Sequence, residues 1–171
     1  MKRTVLPKAP WQDVAADLLG PWPGGEYLFV VVDYYSRYFE VDILKSVLSK
    51  NIIESLDHIF ATHGIPESIK TDNGPQFISE EFQKYMVNTG VKHMTSTPLW
   101  PQGNDEVERQ NRTLLKSMLI AYSAGKDWKK ELSKLLLAYR STPMKRKGKE
   151  YADRTRQASD RPLEKGDTVL V

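Results

Sequence analysis

Apolar residues along the chain recur with two periods, and the switches between them divide it into short strands and helices. Val14 to Leu18 is a strand-like run closed by the turn-rich Gly20-Pro21-Trp22-Pro23-Gly24-Gly25. Two β-rich runs follow, Tyr27 to Val32 and Tyr38 to Leu44, and the intervening Asp33-Tyr34-Tyr35-Ser36 predicts a hairpin. From Ser49, read as a helix cap, Ile52, Ile53, Leu56, Ile59 and Phe60 keep helical spacing until Gly64 and Pro66 stop it. Ser68 to Thr71 is a brief strand leading into Asp72-Asn73-Gly74. Ser79 opens a helix carrying Phe82, Tyr85 and Met86 that Gly90 closes, and Val91 to Met94 is another strand.

A loop from Thr95 to Gly103 contains Pro98 and Pro101. Asn104 is a suitable N-cap for a long helix with Val107, Leu114, Leu115, Met118 and Tyr122 on one face, ended by Gly125. Asp127 caps a last helix bearing Trp128, Leu132, Leu135, Leu136 and Tyr139, which stops before Pro143. Three strands, then helix, strand, helix, strand and two helices predict an α/β fold, a mixed five-stranded sheet flanked by helices. Met144 to Asp160 is charged and lacks apolar periodicity, whereas Gly166 to Val171 reads as the first strand of a further domain. The expected division is therefore a domain over 1–143, a basic linker over 144–165 and a cut-short strand over 166–171.

Composition narrows the chemistry. With 171 residues, 40% hydrophobic and 27% charged, the chain has the make-up of one globular domain with a core. No apolar run reaches the roughly 18 residues that span a bilayer, and Met1 to Pro7 has no signal-peptide stretch, so no membrane partner and an intracellular site are expected. There is no cysteine, and His58, His63 and His93 are scattered, so no zinc site is expected and any metal must be held by oxygen. Eight of the 25 Lys and Arg and five of the 22 Asp and Glu fall in 144–171; the tail is +3, and the remainder, seventeen of each, is neutral. Such a tail is either a polyanion contact or simply a solvated segment.

Three acids stand out by position. Taken singly, Asp72-Asn73-Gly74 is an ordinary turn, and Glu108, four residues before Arg112, makes an ordinary helical ion pair. Asp17 is less ordinary: between Val14, Ala15, Ala16, Leu18 and Leu19, a carboxylate loses hydration unless it is paired or metal-bound. One acid is on the first strand, one ends a later strand and one is in the first turns of a helix, so the three can converge. Gathered carboxylates repel, and hard oxygen ligands with spare water positions select magnesium or manganese. Asp33 is a rival first ligand, but in a hairpin turn its side chain bonds the backbone two residues on. His63 and His93 read as structural.

Four ordered blocks make the pattern specific. These are Trp11 to Pro21, Val32 to Arg37, Thr71 to Phe77 and Pro101 to Arg112, and 35 residues lie between Asp72 and Glu108. Over roughly Leu6 to Pro143 they resemble the integrase catalytic core of gypsy-type LTR retrotransposons and retroviruses. The resemblance implies an RNase H-like fold and two magnesium (or manganese) ions shared by Asp17, Asp72 and Glu108, with Asp17 bridging. It implies 3′-end processing of element DNA and strand transfer into target DNA, a homodimer, and nuclear location when acting on DNA. On the helix of Glu108, Asn111 and Arg112 share its side and are expected, with Lys116, to face DNA; Gln102 and Asn104, on the loop before it, are further candidates.

The chain departs from that family in two respects. Without cysteine, the family's N-terminal zinc domain is not expected here, and the C-terminal SH3-like domain is expected to be represented by one strand, so a truncated or internally deleted copy is the expectation. Asp105 stands where the family motif usually has glycine. The alternative function is thus a degenerate or host-adopted copy, a non-catalytic DNA-binding or dimerisation module. A third reading, an RNase H nuclease, needs a helix-borne acid between Asp33 and Asp72, for which Glu54 and Asp57 are the candidates.

Overall fold

The computed structural model describes residues 7–22, 24–95, 116, 120 and 122–141. The chain divides into two compact units, Met1–Asn111 and Arg112–Val171. The first holds strands β1 (Asp13–Leu19), β2 (Tyr27–Asp33) and β3 (Phe39–Leu44), then helix α1 (Ser49–His63) and strand β4 (Ser68–Thr71). Helices α2 (Pro75–Ile78) and α3 (Glu80–Thr89) and strand β5 (Lys92–Thr95) follow.

These strands form the expected five-stranded mixed sheet, in the order β3-β2-β1-β4-β5. Strands β1, β2 and β3 pair antiparallel, and β1 pairs with β4 and β4 with β5 in parallel. A parallel neighbour needs a crossover, which α1 supplies between β3 and β4, and α2 with α3 between β4 and β5. In β2, Leu28, Phe29, Val30, Val31 and Val32 are all fully buried, so both faces of this strand are covered and its apolar run is continuous rather than alternating. One face carries the core proper: Val14, Ala16, Phe29, Val31 and Ile69 of the sheet pack with Ile52, Leu56 and Phe60 of α1 and with Phe77, Phe82 and Met86.

Two helix starts differ from expectation. Ser49 is not a cap: Leu48 precedes α1 without a side-chain hydrogen bond, and the Ser49 hydroxyl instead bonds Gln76 O at 2.8 Å and Ser79 Oγ at 2.7 Å. The hydroxyl that local sequence assigns to its own helix is used to tie that helix to the α2–α3 junction. Helix α2 is an element that the hydrophobic pattern misses, because four residues are too few to show a period; Pro75 in its first turn has a fixed φ suited to a helix start. Ser79 does cap α3, accepting from Phe82 N at 3.2 Å, and Gly90 ends it at φ +72°, a left-handed conformation that glycine adopts without steric cost.

In the second unit Lys116, Ile120, Tyr122 and Ser123 are helical, and Gly125 at φ +66° follows, its N–H donating to Tyr122 O. Tyr122, expected on an apolar face, is 49% exposed in this last turn. Asp127 caps helix α4 (Trp128–Ser141) as expected, its Oδ1 accepting from Lys129 N at 3.0 Å. Trp128 and Leu132 are buried, and Leu137 is exposed. Among the described residues no helix is long and apolar enough to cross a membrane. The expected cap at Asn104 lies outside the described residues, as do 144–171.

Candidate active site

Alternation along β1 decides where Asp17 goes. Val14, Ala16 and Leu18 face the core under α1 and α3, so Asp13, Ala15 and Asp17 belong to the opposite face of the sheet. Asp17 is half-buried, opposite Val30 of β2, and its Oδ1 accepts from Leu18 N at 2.8 Å. On its other side β1 runs parallel to β4 with Asp13 beside Ser68, Val14 beside Ile69 and Ala15 beside Lys70. The same offset carried two residues further puts Asp17 level with Asp72, which directly follows β4. Two carboxylates separated in sequence by two further strands and a helix thus reach the same register level at the C-terminal ends of neighbouring parallel strands, where open α/β sheets characteristically bind ligands.

Asp72 is exposed, and its Oδ1 accepts from Gly74 N at 2.9 Å, closing the turn that the sequence predicts. A β-carbon at position 74 would lie 3.0 Å from that carboxylate oxygen and closer still to Gln76, so glycine keeps the carboxylate uncrowded. Lys70 shares the sheet face of Asp17 by alternation along β4, is half-exposed, and its side chain makes no hydrogen bond or ion pair among the described residues. Of the predicted site residues, Lys116 is exposed on a helix, whereas Glu108, Gln102, Asn104, Asn111 and Arg112, and also Asp105, lie outside the described residues. Among the described residues no group of three His, Cys, Asp or Glu is placed to hold a metal.

The rival acids are occupied elsewhere. Asp33 is fully buried, and its carboxylate accepts from Trp11 N at 3.0 Å, Tyr35 N at 3.2 Å, Ser36 N at 2.9 Å and the Ser36 hydroxyl. It is a hairpin clamp. Glu54 pairs with Lys50 and Asp57 accepts from the Tyr85 hydroxyl, both on the exposed side of α1, a helix that covers the face opposite Asp17. The nuclease reading that required one of them at the site loses its support. His63 is structural as expected: its ring packs tilted against Trp11 with centroids 4.2 Å apart, and it bonds Glu40 at 2.8 Å.

His93 is less plain than a structural histidine. Its Nε2 meets Thr71 Oγ1 at 2.8 Å and its Nδ1 meets Gln83 Nε2 at 2.9 Å, while its ring stands edge-to-face on Phe82. Burial holds its pKa below the ordinary histidine value. The native state therefore binds fewer protons than the unfolded chain in mild acid. The resulting stability is fully present above the unfolded value of about 6.5 and is lost as pH falls below it toward the folded pKa. Melting temperature should accordingly fall more steeply below about pH 6.5 in wild type than in His93→Gln. Parallel pH curves for the two proteins would contradict this.

The sheet order, with its flanking helices, and the structural matches define an RNase H-like domain. Residues 9–101 match the integrase core domain family. The chain is 37% identical over 138 residues to the uncharacterized protein K02A2.6 of Caenorhabditis elegans, an alignment covering 81% of this chain and 11% of that protein. It is 37% identical over 113 residues to the Gag-Pro-Pol polyprotein of squirrel monkey retrovirus, covering 66% of this chain and 6% of the polyprotein. The fold matches the simian T-cell lymphotropic virus intasome in complex with PP2A regulatory subunit B56 gamma, with TM-score 0.72 and 25% identity over 99% of this chain and 62% of that one. It matches the HTLV-2 integrase catalytic core domain in complex with magnesium, dimeric form, with TM-score 0.64 and 25% identity over 85% of this chain and 94% of that one. The chain belongs to the integrase core domain family, a family of polynucleotidyl transferases. It spans about a tenth or less of the length of these two sequence relatives.

Proposed function

We propose that the chain is the catalytic core of a DNA integrase, joining a 3′-hydroxyl DNA end to target DNA. The observation that supports this reading is the parallel β1–β4 register, which, continued past Ala15 and Lys70, brings Asp17 level with Asp72 just after β4. Their donor set, two carboxylates on one sheet face, fits magnesium or manganese, and Glu108 would complete it. When bound, the ions supply Lewis-acid stabilisation at phosphorus and an activated attacking oxygen. The protein's own part is to hold the carboxylates in place. Asp72 does so with one oxygen on Gly74 N and the other without a hydrogen-bond partner among the described residues.

Exposed Lys116 is proposed to contact DNA phosphate, together with Gln102, Asn104, Asn111 and Arg112. The exposed Leu137 on α4 supports a homodimer, and action on chromosomal DNA would place the protein in the nucleus. The test is strand transfer of a labelled DNA end in magnesium or manganese, comparing wild type with Asp72→Asn. Metal-dependent joining that the substitution abolishes is expected. No joining by either, with DNA binding retained, would favour the non-catalytic DNA-binding copy.

A further inference from the structure

We propose that His93 is a positioning residue for the metal-binding turn, setting the Asp72 backbone through Thr71; this rests on Asp72 being a metal ligand. The directions of the hydrogen bonds follow from counting protons. The Thr71 hydroxyl has one, and it donates to Asp72 O at 2.8 Å. Thr71 Oγ1 must then accept from His93, so the imidazole carries its proton on Nε2 and presents a lone pair at Nδ1. Gln83 fits that tautomer. One N–H of its amide donates to Phe77 O at 2.9 Å and the other is left for His93 Nδ1 at 2.9 Å. Each link from Phe77 O through Gln83 Nε2, His93 and Thr71 Oγ1 to Asp72 O matches a donor with an acceptor, and no step requires a charge.

The relay lies on the face of the sheet opposite the proposed metal site. Thr71 is 2% exposed, and His93 sits in β5 directly across from Ile69, with its ring on the fully buried Phe82. Thr71 and Asp72 are consecutive, so one side chain points into the core and the next belongs to the site face. The core thereby reaches the site through a single carbonyl. With Thr71 holding that carbonyl and Gly74 N holding Oδ1, the turn is fixed at both its backbone and its carboxylate, and Oδ2 is left for the ion. Such outer partners fix the orientation of a ligand before the metal arrives.

Three variants of the full chain separate the possibilities. His93→Phe keeps the ring against Phe82 but removes both nitrogens; Thr71→Val removes the hydroxyl at constant shape; His93→Gln restores an N–H near the Nε2 position. Magnesium affinity, read from the metal-induced rise in melting temperature, should fall about tenfold in the first two and recover in the third. Strand transfer should lose kcat while KM for DNA holds. Wild-type magnesium affinity in His93→Phe, with binding abolished in Asp72→Asn, would overturn the positioning role alone. Unchanged magnesium binding in Asp72→Asn would overturn the ligand assignment and the positioning role with it. Should His93→Phe not fold, long-range 1H–15N spectra of the wild type decide. The Nε2–H tautomer and a ring shift that saturates with magnesium are expected, and ring signals indifferent to magnesium would refute the proposal.

Discussion

Asp17→Asn is expected to lower strand transfer by on the order of 10³-fold, a loss of the same kind as that expected for Asp72→Asn. Several kcal/mol of charge stabilisation at phosphorus depends on ions that anionic oxygens hold, and each 1.36 kcal/mol is a factor of about ten. Asparagine keeps the shape and one acceptor oxygen, so the hydrogen bond from Leu18 N can survive. With the side-chain shape and that hydrogen bond kept, the metal-free protein should still fold. Calorimetry with and without magnesium, beside the strand-transfer assay, separates the effects. Substantial joining by Asp17→Asn would show that the attacking and leaving oxygens are managed elsewhere.

Asp33→Ala should do the reverse, a large loss of stability with little change in chemistry per folded molecule. Its carboxylate collects four donors, from Trp11, Tyr35 and both the backbone and hydroxyl of Ser36, and truncation strands them in a site that is fully buried. With buried unpaired groups costing about 1–3 kcal/mol each before relaxation, a net loss of about 3 kcal/mol or more is expected. For a domain of this size that is a fall of roughly 10 °C or more in melting temperature. Asp33→Asn, retaining one acceptor oxygen, should fall less. Unfolding monitored by denaturant and by heat checks the loss. Activity lost by Asp33→Ala at a temperature where it remains folded would reinstate Asp33 as a site residue.

The contrast between these two aspartates shows what the chain discloses by itself. Asp17 is visible because a charge interrupts an apolar strand, and Asp33 because an aspartate opening a hairpin has a local use; each inference needs only neighbouring residues. That Asp17 stands level with Asp72 is different, since the order β2-β1-β4 is a property of the sheet and no local pattern encodes it. The element sequence suggested a mixed sheet, and the ordered blocks from Trp11 to Arg112 suggested which acids to join, but neither supplied the register. Ser49 was misread for the same reason. A serine before an apolar helical run looks like a cap, and only the folded chain shows Gln76 and Ser79 within its reach. The Thr71–His93 bond, 22 residues apart, left no signal at all, because a lone histidine in a short strand has many uses.

The sheet order also orders events in time. Strands β1, β2 and β3 join neighbours along the chain, so this meander closes only short loops and can form early. The β1–β4 pairing must bring together residues 55 apart, Asp13 with Ser68, and the entropy of that closure is lost before any contact repays it. The extrapolated register puts Asp17 and Asp72 at one level along that seam, whose partners are the furthest apart in sequence of any in the sheet. A nascent chain that holds only the meander and α1 would therefore keep the two acids of the proposed site apart, and on that proposal would gain its chemistry only once the domain is complete.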